Sequence, residues 1–340
     1  MKILYAIQGT GNGHLSRAID VVPVLKQYGE LDLLVSGAQA EIELAYPVKY
    51  KSKGLSFYFG KNGGINFYKT FKKNSSSVVQ EIDQFPVQKY DLIINDFEPI
   101  SAWAAKKKKI PCIGLSHQAA LLSKKSPRPK RVDPFGEWLL KSYAPVKKYV
   151  GFHFEQYDKN IFTPVVRKAV REAKSSDKGH YTVYLPAYDD KKLAQLFLRF
   201  RKVKWHIFSK HIKNPYHVDR VSVFPISGPD FVESMITSRG VLTGAGFETP
   251  AEVLHLNKKL MVVPMKSQYE QYCNAAALKR LGVPVLKRVK KKNLDQIENW
   301  MDLSKSLDIS FPDTTEEAVA SAMHMASYYS TSSDSSTEAR

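Results

Sequence analysis

At 340 residues, with 43% hydrophobic and 25% charged residues, the chain has an ordinary globular composition and the length of two domains. Two cysteines, Cys112 and Cys273, neither in a C-x-x-C pair, exclude a disulfide framework and a structural zinc site and favour a reducing compartment, and no apolar run of 18 residues offers a membrane span. Lys and Arg number 51 against 33 Asp and Glu, a net charge of +18, which admits nucleic acid, an anionic membrane surface or a phosphorylated small molecule as partner. No nucleic-acid module is legible, so no nucleic acid partner is expected.

Residues 1–8 (MKILYAIQ) form a short apolar run that reads as a first strand and makes a poor signal peptide. The turn Gly9-Thr10-Gly11-Asn12-Gly13-His14 follows. Apolar residues at Leu15, Ala18, Ile19, Val22 and Leu25 predict a helix over residues 14–28. Glycines let the backbone approach a ligand closely, and a helix N-terminus favours an anion. The G-x-G-x-G spacing departs from the dinucleotide fingerprint, and the second strand, residues 31–35, ends in Ser36-Gly37 without the acid that holds a ribose. A nicotinamide cofactor is therefore disfavoured. His14 either caps the helix or acts as a base, since a helix N-terminus favours the neutral imidazole.

Further strands are expected at residues 55–59, 92–95 and 112–115, with the basic, glycine-rich stretch 60–74 as a long loop. Such continuous apolar strands between helices predict a parallel sheet covered on both faces. Asp96 and His117 fall near the carboxyl ends of adjacent strands, where open α/β sheets hold their ligands. Asp96 is either a candidate base or the cap of a helix over residues 97–105, and His117 is either reactive or a loop anchor. Phe135, Trp138, Leu139 and Leu140 lie among Lys124, Lys125, Arg128, Lys130, Arg131 and Lys141. Apolar anchors ringed by cations suit an anionic bilayer, and the alternative is a core helix.

A domain junction is expected near residues 151–180, with a helix over 162–174. The α/β pattern then restarts, with strands at 181–185, 205–208, 221–224, 240–243 and 260–263. The fourth of these ends in Gly244-Ala245-Gly246, and a helix over 249–256 opens with Pro250 near its first turn. Backbone N–H groups at such a turn suit a diphosphate, and Glu252 is placed to accept two hydrogen bonds from a ribose diol. Gln271 and Asn274 lie three apart on a predicted helix and present two amides to sugar hydroxyls. A late helix over 314–327 can cross back to the first domain, and the polar stretch from 328 to 340 reads as a disordered tail.

Together the segments G-T-G-x-G-H at 9–14, N-D-F-E-P at 95–99, G-L-S-H-Q at 114–118, G-A-G-F-E-T-P-A-E at 244–252 and E-Q-Y-C-N-A at 270–275 resemble the GT-B glycosyltransferases. The likeness is to the MurG-like peptidoglycan UDP-N-acetylglucosaminyltransferases and the small bacterial and archaeal enzymes grouped with them. It spans about residues 1–327. It implies two Rossmann-like domains facing each other across a cleft, an acceptor domain at 1–160 and a nucleotide-sugar domain at 161–312. Carried over, Glu252 would hold the ribose, and Gly244, Ala245, Gly246 and Thr249 would line the diphosphate. Gln271 and Asn274 would contact the donor sugar, Phe224 and Ile226 would border the base, and Gly11 would touch the donor from the facing domain. His14, Asp96 and His117 are the candidate bases.

The resemblance further implies a UDP-sugar donor, a hydroxyl acceptor that is lipid-linked or part of a cell-envelope glycan, inversion, no metal and no cofactor. It places the enzyme in the cytoplasm or on the inner face of the membrane. Leu185-Pro186-Ala187-Tyr188-Asp189-Asp190 stands where the peptidoglycan enzymes have a glycine- and serine-containing loop, so phosphate binding is expected to differ in part, and the stretch from Asn95 to Pro99 lacks their glycine run, so the acceptor is expected not to be the peptidoglycan lipid. A nucleotide-sugar epimerase of the same fold and a polyanion-binding protein are the alternatives.

Overall fold

The structure, a computed structural model, describes residues 1–37, 44–53, 77–226, 228–303 and 306–334. The strand expected at 55–59 and the basic stretch 60–74 lie outside the described residues.

The first domain holds a seven-stranded, all-parallel sheet of β1 (Lys2–Gln8), β2 (Glu30–Ser36), β3 (Tyr50–Ser52), β4 (Leu92–Asp96), β5 (Cys112–Ser116), β6 (Lys148–Phe152) and β7 (Ile161–Phe162), in the order β3-β2-β1-β4-β5-β6-β7. Strands β1, β4 and β5 are buried almost throughout, which is why they are continuous apolar runs without alternation. The helices of this half are α1 (Asn12–Leu25), α2 over residues 77–84, α3 (Pro99–Lys108), α4 (His117–Ala120) and α5 (Pro134–Ser142). Helix α1 lays Leu15, Ala18, Val22 and Leu25 on one face of the sheet, and Ile100, Ala104 and Ala105 of α3 cover the other.

The second domain has a six-stranded sheet of β8 (His180–Tyr184), β9 (Lys204–Ser209), β10 (Tyr216–Val218), β11 (Val221–Pro225), β12 (Gly240–Gly244) and β13 (Lys259–Val263). Its order is β10-β11-β9-β8-β12-β13, and only the edge strand β10 runs antiparallel. Its helices are α6 (Lys168–Arg171), α7 (Asp190–Phe197), α8 (Gly228–Ile236), α9 (Glu248–His255), α10 (Tyr269–Arg280) and α11 (Leu294–Met301). Trp205, Trp300 and Phe197 fill the core on one face. Strand order reverses between β1 and β4 in one sheet and between β8 and β12 in the other. Ligands of open α/β sheets bind at such reversals, beyond the carboxyl ends of the strands.

Two expectations change. The helix expected over 162–174 shrinks to the single turn α6, preceded by β7 and an extended segment 163–167. Pro164 disfavours the helical region at Thr163, and Thr163, Val165 and Val166 are β-branched. The first sheet thus runs two residues past the expected boundary at 160. The final helix, α12 (Thr315–Asp334), continues beyond residue 328, where a disordered tail was expected; residues 335–340 lie outside the described residues. It packs on α1, β5 and β6 of the first domain, burying Ala318, Val319 and Ala322. Among the described residues no helix is long and apolar enough to cross a membrane.

Gly151 of β6 carries α4. A Cβ there would lie 2.5 Å from the backbone N and Cα of Ala120, so a side chain would force the strand and helix apart. Gly151→Ala is expected to lower stability by about 1–3 kcal/mol, read as a shift in the urea unfolding midpoint with an unchanged m-value.

Candidate active site

The segment Asn95-Asp96-Phe97-Glu98-Pro99 contains two acids that could cap α3, and Glu98 takes that role. Its carboxylate accepts from the N–H groups of Ile100 at 2.8 Å and Ser101 at 2.7 Å, with Pro99 opening the helix. Asp96 is therefore free to face α1. Phe97 between them sits in the left-handed region at φ 56°, a conformation costly for a bulky residue. It lines the cleft, its ring 4.9 Å from that of Tyr143.

Asp96 is fully buried and shared by two residues one helical turn apart on α1. His14 Nδ1 lies 2.7 Å from Asp96 Oδ1. Arg17 donates to the same carboxylate through Nε at 3.1 Å and Nη2 at 2.7 and 2.9 Å. Burial pushes the Asp96 carboxyl up, but the Arg17 charge and the hydrogen bonds from His14 and Arg17 outweigh it and hold it below the usual carboxylate range. His14 Nδ1 faces both this acceptor and, more distantly, the donor Arg17 Nη2 at 3.1 Å; the shorter contact to the carboxylate favours the tautomer with the proton on Nδ1, and Nε2 then faces the Gln118 amide nitrogen 3.5 Å away. Asp96, a candidate base in the sequence, is thus enclosed and bonded to both His14 and Arg17.

The second domain closes on the same cluster. Arg17 Nη1 donates to Glu248 Oε1 at 2.5 Å, and Glu248 stands in the first turn of α9. A Cβ on Gly13 would collide with the Glu248 carboxylate, whereas one on Gly11 would meet open space. A side chain at the third glycine of the turn would therefore displace a carboxylate of the facing domain that is bonded to Arg17.

His117 is held away from the cavity. It is buried, with Nδ1 2.8 Å from the Phe152 carbonyl oxygen and Nε2 2.7 Å from Asn274 Oδ1, and its ring stacks on Phe247 at 3.9 Å. Burial pushes its pKa down. Asn274 is equally enclosed and donates to the Ala245 carbonyl at 3.1 Å. This pair bridges the two domains, so the structure places the candidate base His117 and the candidate sugar contact Asn274 in the joint between them.

The remaining residues expected at the donor site lie around the carboxyl ends of β11 and β12 and on α9 and α10. Gly246 borders three adjoining cavities of about 560, 110 and 210 Å3. The largest runs between the domains, past His14, Gln118, Phe97, Glu248, Glu270 and Gln271. The smallest lies between Gly244, Thr249 and the Leu185–Tyr188 loop. The third is lined by Ile226, Thr249 and Glu252. The first turn of α9 has no side-chain cap; Pro250 brings no N–H and the Ala251 N–H is taken by the Phe247 carbonyl, so the N–H groups of Glu248 and Thr249 are the ones without a partner inside the helix. Gln271 Oε1 accepts from the Met265 N–H at 2.8 Å, steadying the loop after β13. Ala245 is buried beneath the turn, and Phe224 packs on Phe208 at 5.5 Å. Glu252 is gripped by Arg167, Nε to Oε1 at 2.5 Å and Nη2 to Oε2 at 2.7 Å.

Arg17, Glu248, Gln118 and Arg167 were not read as site residues from the sequence. Arg17 had a signal, three positions after His14 and so on the same helix face. Glu248 and Gln118 lay inside the quoted motifs without an assigned role. Arg167 carried no sequence signal.

Two facing parallel α/β domains with their strand-order reversals across a cleft define the GT-B architecture. The model of glycosyl transferase family 1 matches residues 1–303, and the chain belongs to that family. It is a glycosyltransferase. A search of curated proteins returned no match. Among solved structures, MurG of Acinetobacter baumannii is similar with a TM-score of 0.56 at 14% identity, over 95% of this chain and 99% of that one. UGT89C1 of Arabidopsis thaliana complexed with UDP gives 0.55 at 14%, over 95% and 94%. The spinosyn rhamnosyltransferase SpnG with its aglycone gives 0.54 at 13%, over 96% and 95%.

Arg17→Met would leave Asp96 buried without its main counter-charge. A loss of about 3–5 kcal/mol is expected, measured by equilibrium urea denaturation.

Proposed function

We propose that the enzyme transfers a sugar from a nucleoside diphosphate, UDP in first preference, to an acceptor hydroxyl, with His14 as the base. The observation that carries this reading is the His14–Asp96 pair, 2.7 Å apart, at the wall of a cavity whose opposite side is the uncapped first turn of α9. His14 Nε2 takes the acceptor proton while the acceptor oxygen bonds to the anomeric carbon. The bond from that carbon to the diphosphate breaks on the other face, so the reaction inverts. Asp96 holds the productive tautomer and stabilises the imidazolium as it forms. The leaving diphosphate gains its stabilisation from the backbone N–H groups around Gly246 and Thr249 and from the α9 dipole. The scheme contains no metal step.

Glu252 would accept from the ribose diol, Ile226 would border the base and Gln271 would meet the donor sugar. A UDP-bound neighbour of the same fold supports the choice of donor. The epimerase alternative asks for free acid/base carboxylates in the cleft, but Glu248 is paired with Arg17 and Glu270 accepts from Gln118 at 3.0 Å.

The acceptor side favours an amphiphile. Phe97, Leu139, Leu140 and Tyr143 line the cleft wall. At its rim Phe135 and Trp138 of α5 are 43% and 49% exposed, and Val132 is 51% exposed, close in sequence to Lys130, Arg131 and Lys141. Exposed aromatic groups among cations suit an anionic membrane surface. We place the enzyme at the inner face of the cytoplasmic membrane with a lipid-linked acceptor.

Calorimetric titration with UDP, GDP, dTDP and ADP tests the donor. One diphosphate is expected to bind at micromolar affinity and to lose that binding in Glu252→Ala; no binding of any of the four would sink the reading. His14→Ala is expected to slow UDP release from the matching UDP-sugar by about 10²–10⁴-fold, with UDP affinity changed less than about twofold. In vesicle co-sedimentation, the Phe135→Ala/Trp138→Ala double variant should bind phosphatidylglycerol vesicles about tenfold more weakly, and unchanged binding would remove the membrane from the account.

A further inference from the structure

Arg167 ends the extended segment that carries the chain from β7 into the second domain. Its guanidinium meets Glu252 of α9 in two near-parallel bonds of 2.5 and 2.7 Å. The Arg167 side chain is 17% exposed and that of Glu252 is 2% exposed. Bidentate pairs of this kind fix the carboxylate plane as well as adding energy. Nothing in the reaction requires an arginine here, and it lies 85 residues from its partner in the chain.

The pair borders the cavity of about 210 Å3 that both domains line, Asn12 and Ser16 from one side, Tyr184, Ile226 and Thr249 from the other. A carboxylate offers about four acceptor sites. Arg167 takes one on each oxygen and so leaves one on each. Two vicinal hydroxyls need that same arrangement, two acceptor atoms about 2.2 Å apart with a fixed plane.

We infer that Arg167 is a positioning residue for ribose recognition, setting the Glu252 carboxylate so that its two remaining acceptor sites receive the 2′- and 3′-hydroxyls of the donor nucleotide. The inference rests on the donor site proposed above. Because Arg167 belongs to the segment between the domains, the ribose is read jointly by α9 and by that connection. Discrimination between ribose and deoxyribose then depends on a residue outside the motif that supplies the carboxylate.

The test is calorimetric titration of UDP and 2′-deoxyuridine diphosphate into the wild type, Arg167→Met, Arg167→Lys and Glu252→Gln. The wild type should prefer UDP by about tenfold or more, the value of a hydrogen bond to a charged group. Arg167→Met should reduce that preference to about twofold, chiefly through weaker UDP binding, with the deoxy nucleotide little affected. Lysine keeps the charge but not the fork, so Arg167→Lys should fall between, and it decides the matter if the methionine variant does not fold. A folded Arg167 variant that keeps the tenfold preference, or loses affinity equally for both nucleotides, would reduce Arg167 to a structural ion pair and overturn the inference. Wild-type protein that binds neither nucleotide would overturn the donor site itself. Wild-type protein that binds both equally would overturn the role of Glu252.

Discussion

A guanidinium buried between two domains is the constraint on which the active site depends. Arg17 is almost fully enclosed, and an enclosed charge is tolerated only when its partners are close and well aligned. One partner, Asp96, comes from the end of β4; the other, Glu248, comes from the first turn of α9. The arrangement is complete only when the domains are together. The cluster sets two carboxylates against one guanidinium, so a proton arriving on His14 moves the local charge towards balance. That is the direction a base needs during proton abstraction.

The glycine turn follows from the same constraint. The Glu248 carboxylate occupies the space that a side chain at Gly13 would take, so a side chain there would have to displace it from Arg17. Glu248 stands at a helix N-terminus, where an acid is stabilised by the dipole but would repel an incoming diphosphate. Its bond to Arg17 offsets that repulsion. The His117–Asn274 bond and the stacking of His117 on Phe247 fasten the domains a second time, deeper in the interface. Two residues of reactive type thus serve the joint between domains, and one histidine remains facing the cleft.

What the sequence made legible was whatever is encoded locally. Continuous apolar runs and glycine turns marked β1, β2, β4 and β5 of the first sheet and β8, β9, β11, β12 and β13 of the second, but not the remaining strands β3, β6, β7 and β10, and the position of His14 in the first turn of α1 marked it as one of three candidate bases. The N-D-F-E-P segment was ambiguous because two acids precede a proline, although proline at the first helical position favours the acid immediately before it as the cap. That choice separates Glu98 from Asp96. The helix expected over 162–174 is absent before residue 168 because Pro164 and its β-branched neighbours disfavour the helical region there. Pairings across long separations left no trace to read: His117 meets Asn274 across 157 positions and Arg17 meets Glu248 across 231. Each of those side chains, taken alone, fits a solvent-facing or catalytic role equally well.

The central claim is that one closed arrangement, organised by Arg17, presents the donor to His14. The crystal structure of the protein with UDP tests it most directly. The account predicts the diphosphate at the first turn of α9 beside Gly246 and Thr249, the ribose at Glu252, and Arg17 still bonded to both Asp96 and Glu248. Nucleotide bound away from α9, or domains separated with the Arg17–Glu248 bond broken around a bound nucleotide, would contradict it.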